Sequence, residues 1–219
     1  MTGKNVVIVG AGKLGALLHD CLVGDDRWHC TGFIDDGKAG QTLHGLPIKS
    51  MADLQPAQGQ PAFIAIGFPD VRRLMVERGN SLGLEWQTYI DRRSLVGQEA
   101  QIGMGTLILS FAMVASSVTI GDFAYLSSYS HVGSGSTIGA FTSLMASASI
   151  GETVVGEDCV IGLKSACLDG ISLGDRVTVA PFTFVRRSVP SDRLVAGTPA
   201  RTFKRSMFER QKTLPGNHV

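Results

Sequence analysis

The chain has 219 residues, 44% hydrophobic and 18% charged, which is enough to bury a substantial core and too apolar for a disordered chain. Twenty Lys and Arg against nineteen Asp and Glu leave a net charge of +1, with no basic run of the kind that grips nucleic acid. No apolar stretch reaches membrane-spanning length, and Cys21, Cys30, Cys159 and Cys167 form no CxxC pair, so metal-free, buried thiols in a cytoplasmic protein are expected.

The opening MTGKNVVIVG enters a folded pattern at once, which speaks against a signal peptide. Residues 1–92 read as an α/β domain. Lys4–Val9 is a strand, and Leu14, Leu17, Leu18, Cys21 and Leu22 stripe the helix after it. Trp28–Ile34 is a second strand ending at Asp35-Asp36-Gly37, Pro61–Gly67 a third, Val71–Gly79 a helix and Glu85–Ile90 a last strand. Strand, crossover and strand imply a parallel sheet.

Between the first strand and helix stands Gly10-x-Gly12-x-x-Gly15. Such glycines let the backbone approach a phosphate, and the helix N-terminus favours its charge. Lys13 is placed to neutralise that phosphate, and Asp35 stands where a ribose-binding acid is expected. A domain this short has only one mononucleotide-binding unit, which argues against NAD.

From about Val96 the texture changes to Gly, Ser, Ala, Thr and Val. Ile102, Ile108, Val114, Ile120, Leu126, Val132, Ile138, Leu144 and Ile150 fall six apart; after a slip of one, Val155, Ile161, Cys167, Leu173, Val179 and Val185 do so again. A hexapeptide period is the signature of a parallel β-helix. Glycine follows many of these apolar positions and is expected at the corners, where φ is positive. This β-helix is read over 93–187 and a capping tail over 188–219, with Phe203–Gln211 helical; the α/β half is expected to cap the other end. Phe111, Met113, Phe123, Tyr125 and Tyr129 are expected on flat outer faces, which predicts a homotrimer.

Together VVIVGAGKLGALL with GFIDDG, the hexads with ETVVGEDCVIG and GISLGD, and the closing SVPSDRLVAGTPAR resemble the PglD/NeuD-like bacterial sugar acyltransferases. The resemblance implies a small Rossmann-like domain joined to a left-handed β-helix, a trimer, and acyl transfer from acetyl-CoA to a nucleotide-linked amino-sugar in surface-glycan biosynthesis. It implies nucleotide-sugar binding at Gly10, Gly12, Lys13, Gly15, Asp35, Asp36, Ile66 and Gly67. Coenzyme A contacts fall at Ser143, Gly162, Lys164, Ala180, Phe182 and Arg201. The family's catalytic histidine position holds Ser134, the acid beside it is Gly135, and the second histidine position is Ser143. His131, three residues before Ser134, is the candidate for a displaced base. A sugar hydroxyl needs a base to attack a thioester, whereas a neutral amine attacks unaided once oriented, so loss of the histidine favours N-acylation. A nucleotide-sugar-binding trimer without catalysis, a hydroxyl acceptor, and an unusual donor accommodated by Lys164 and Phe182 stand as alternatives.

Overall fold

The computed structural model describes residues 3–54 and 59–205. The chain opens with β1 (Lys4–Val9), α1 (Lys13–Leu22), β2 (Trp28–Ile34), β3 (Thr42–Leu43), β4 (Leu46–Lys49), β5 (Gln60–Ile64), α2 (Pro69–Ser81) and β6 (Leu84–Trp86). The sheet runs β3-β4-β2-β1-β5-β6, parallel except for the β3–β4 edge hairpin. Val6, Ile8 and Val9 of β1 are fully buried, as a central parallel strand covered on both faces requires. Pro69 opens α2, where its missing N–H leaves no hydrogen bond unmade. The strand expected over Glu85–Ile90 is split. Leu84–Trp86 completes this sheet, while Tyr89–Ile90 joins the next structure.

That structure is a left-handed β-helix of short parallel strands on three faces. The first face stacks Tyr89–Ile90, Leu107–Ile108, Tyr125–Leu126, Ser143–Leu144, Val160–Ile161 and Thr178–Val179. The second stacks Leu95–Val96, Met113–Val114, His131–Val132, Ser149–Ile150, Ala166–Cys167 and Phe184–Val185. The third runs from Gln101–Ile102 to Ile171–Leu173. The hexad residues from Ile108 to Val185 fill the prism as one buried cluster, and Ile90 and Val96 extend the series upstream. Each fully buried Val or Ile contributes about 1.5–3 kcal/mol.

Two expectations about this helix are overturned. The glycines after the apolar positions do not supply the positive φ. That conformation falls on Phe111, Tyr129, Ser147, Lys164 and Phe182 along one ridge, and on Phe123, Phe141, Asp158 and Arg176 along another. Gly121, Gly162 and Gly174 are required because a Cβ there would press on the backbone of the next turn at 2.5–2.6 Å. The α/β unit also leans on the side of the helix rather than capping its start. Tyr89, Leu107 and Tyr125 of the first face are buried in one cluster with Val6, Ile8 and Phe63. Phe123 stacks on Phe141 at 5.0 Å and meets Trp86 edge-on at 6.0 Å. Phe123 and Tyr125 are therefore covered by this chain, and only Phe111, Met113 and Tyr129 of the five expected residues remain exposed.

At the far end Arg193–Ala196 continues the first face, and Arg201–Lys204 folds back antiparallel to it. Phe203 and Lys204 are thus strand and Arg205 a turn, not helix; the rest of the segment expected to be helical lies outside the described residues.

Candidate active site

The C-terminal ends of β1, β2 and β5 open into a cavity of about 690 Å³, within the usual range for a small-molecule site. It brings together Gly10, Gly12, Lys13, Asp35, Asp36, Ile66 and Gly67. Gly10 lies at φ +105° with a would-be Cβ 2.6 Å from the Ala65 carbonyl, so only glycine fits there. Gly15 lies outside the cavity lining, and a Cβ on it would overlap the Gly10 carbonyl. A Cβ on Gly12 meets nothing within 4 Å. Gly12 is exposed as the N-cap of α1, with no capping side chain, so its edge of the cavity is open for a ligand.

The two aspartates brace the cavity. Asp35 accepts hydrogen bonds from the Ala11 N–H at 2.9 Å and the Gly37 N–H at 3.0 Å. Asp36 accepts from the Met51 N–H at 2.7 Å and the Ser50 hydroxyl at 2.8 Å, and pairs with Arg78 at 2.8 Å. The Met51 N–H, with Ser50 and Arg78, holds the Asp36 carboxyl below the usual range. Sequence reasoning missed the apolar wall of Phe68, Val71 and Met75, because α2 carries it on a face that reads as ordinary amphipathic helix.

It also missed Arg72, the joint between the two halves. This guanidinium is 1% exposed. It donates to the carbonyls of Ile66 at 2.6 Å, Gly67 at 3.2 Å and Phe141, and to the Ser143 hydroxyl at 3.0 Å. Its Nε has no hydrogen-bond partner, and burial lowers its pKa to about 10, so it remains protonated at neutral pH. Arg73 lies 4.0 Å over the Phe141 ring and pairs with Asp158 at 2.9 Å.

The expected catalytic and coenzyme residues are scattered. Ser143 is fully buried, donates to the Gly67 carbonyl at 2.8 Å and accepts from Arg72, which places it in the joint between the two halves. Ser134 is exposed beyond the second face. His131 stands on that face, half-buried, with Nδ1 3.4 Å from the Ser149 hydroxyl. Lys164 and Phe182 occupy consecutive places on one exposed ridge, with Ala180 half-buried beside it. Gly162 is buried against the next turn, and Arg201 lies exposed on the closing strand. The Thr198 hydroxyl donates to the Phe182 carbonyl at 3.3 Å, tying the tail to the ridge.

Residues 5–78 match the family model of the PglD N-terminal domain. Over that segment the chain is similar to the PglD N-terminal domain. With the β-helix behind it, the whole shares the fold of solved acetyltransferase structures. It aligns with the acetyltransferase domain of PglB from Neisseria gonorrhoeae FA1090 at a TM-score of 0.85 and 23% identity, covering 92% of this chain and 100% of that one. WeeI from Acinetobacter baumannii AYE aligns at 0.84 and 25%, covering 91% and 100%. PerB from Caulobacter crescentus, in complex with CoA and GDP-perosamine, aligns at 0.75 and 20%, covering 91% and 97%. In sequence, YvoF of Bacillus subtilis (strain 168) is 35% identical over 65 residues, 29% of this chain and 38% of YvoF.

Proposed function

We propose that this PglD-like protein transfers an acyl group, acetyl first among them, from a coenzyme A thioester to the amine of a nucleotide-linked amino-sugar in surface-glycan synthesis. The cavity beside the glycine loop supports this reading. It offers open backbone at Gly12, the Lys13 ammonium for a diphosphate and an apolar wall, and it is docked on the β-helix through Arg72. PerB, of like architecture, is complexed with both CoA and a nucleotide sugar. Lys164, Ala180, Phe182 and Arg201 would meet the coenzyme. The second face, with Leu95, Met113 and Phe184 exposed beside Phe111 and Tyr129, would meet neighbouring copies in a homotrimer.

The amine attacks the thioester carbonyl, the carbon–sulfur bond breaks, and the amine proton leaves with the thiolate as CoA-SH. An exposed Ser134 hydroxyl supplies no base, so the amine must arrive unprotonated. Ser134→Ala should keep kcat within about tenfold, worth ~1.4 kcal/mol. The rate should rise toward alkaline pH with the free amine. His131→Asn should change it equally little; a loss of about 10²-fold would make His131 the base. A folded but inactive Ser134→Ala protein would overturn the base-free mechanism. Ser143, buried and hydrogen-bonded within the joint, favours a second reading, a nucleotide-sugar-binding trimer without turnover. Absence of turnover by the unmodified protein across amino-sugar and acyl-CoA pairs would select it.

A further inference from the structure

We propose that His19, Asp20 and His44 form a transition-metal site, best suited to Zn²⁺, that fastens the β3–β4 hairpin to α1. One ring nitrogen each of His19 and His44 and a carboxylate oxygen of Asp20 lie within 4.8 Å of one another. Asp20 Oδ1 is 3.9 Å from each of the two imidazole nitrogens. A tetrahedral zinc with bonds of about 2.0–2.1 Å separates its donors by roughly 3.3 Å, so a closure of up to about 1.5 Å with a turn of the His44 ring assembles three ligands and leaves a fourth position for water.

Three features point to a ligand rather than a chance surface cluster. Nδ1 of His19 is shielded from solvent and has no hydrogen-bond partner among the described residues. Such a buried, unpartnered ring nitrogen is costly unless something fills it. Two imidazoles from different elements face each other, with ring centroids 4.6 Å apart and planes 8° from parallel. His44 is presented by a two-residue hairpin tip in which it and Gly45 lie at φ 50° and 76°. The stacked rings cannot both hold one ion in plane, so the His44 ring, a third exposed at the hairpin tip, must turn about its χ2. Two nitrogens and one carboxylate suit zinc or nickel and not the oxygen-seeking Mg²⁺ or Ca²⁺. The site lies apart from the cavity lining, so zinc here acts on the sheet edge and not in acyl transfer.

The test is calorimetric titration of the full, tag-free chain with ZnCl₂ and, separately, MgCl₂, alongside thermal melts. His44→Asn removes the ligand while asparagine still suits the turn. The unmodified protein should bind one zinc and melt at higher temperature with it. His44→Asn and Asp20→Asn should each weaken zinc binding by about tenfold or more, and magnesium should give no heat. Zinc binding that His44→Asn leaves unchanged, or no zinc binding by the unmodified chain, overturns the proposal.

Discussion

Arg72→Met tests whether the buried guanidinium holds the two halves together or only burdens them. The carbonyls of Ile66 and Phe141 take their hydrogen bonds from Arg72, whereas Gly67 keeps a second donor in Ser143. Methionine fills much of the same volume and donates nothing. Two buried carbonyls left without donors cost about 1–3 kcal/mol each. Relief of a dehydrated cation offsets part of this, so we expect a net loss of about 3 kcal/mol. With an m-value near 2–3 kcal/mol/M in urea, the midpoint should fall by about 1–1.5 M. Nucleotide-sugar affinity, read by calorimetry, should fall too, because Ile66 and Gly67 line the cavity. Ser143→Ala removes its bond to the Gly67 carbonyl, which Arg72 still serves, and one acceptor from Arg72, and should cost about 2 kcal/mol. An Arg72→Met midpoint equal to or above that of the unmodified protein would refute the reasoning, since desolvation would then outweigh the hydrogen bonds.

Gly12→Val should leave the urea midpoint nearly unchanged, because its Cβ meets no protein atom, yet abolish nucleotide-sugar binding by calorimetry; Gly15→Ala should do the reverse and destabilise, since its Cβ overlaps the Gly10 carbonyl. Burial raises the Cys30 thiol and pushes Cys159 to about 11 and Cys167 to about 12, so a thiol reagent at pH 8 should leave these three unreacted in the folded chain and label all four cysteines in denaturant. Burial alone would raise the Asp91 carboxyl, but hydrogen bonds from Arg93 and Ser110 prevail and hold it well below the carboxylate range. A carboxyl depressed in the folded state stabilises above its unfolded pKa and loses that contribution as pH falls. Asp91→Asn should therefore destabilise at pH 7, with the difference measured by urea titration shrinking below about pH 4.

The β-helix was legible because its signal is purely periodic: one inward side chain in six must be apolar, and two-residue strands tolerate almost anything outside. The slip after Ile150 was legible for the same reason, and the structure absorbs it in the shortened corner between Ile150 and Thr153. The cavity residues around the glycine loop were legible because a close backbone turn leaves few residues to choose from. Arg72 was not. One of three arginines in a polar helix reads as solvated, and only the docking of α2 on Phe141 and Ser143, about seventy positions later in the chain, buries it. The burial of Ser143 was hidden for the same reason, since α2 covers it from another part of the chain. The edge hairpin β3–β4 went unread because His44-Gly45 departs from the usual Asn-Gly signal.

The sideways docking of the α/β unit means that the two halves are not interchangeable parts. A β-helix expressed from Tyr89 onward would present Leu107, Phe123, Tyr125 and Phe141 to water in one strip, since their cover comes from the sheet and α2. Such a fragment should aggregate or recruit a surrogate cover, even though its own prism interior is complete. Grafting another nucleotide-binding unit onto this helix would thus require matching that aromatic strip before any question of substrate arises.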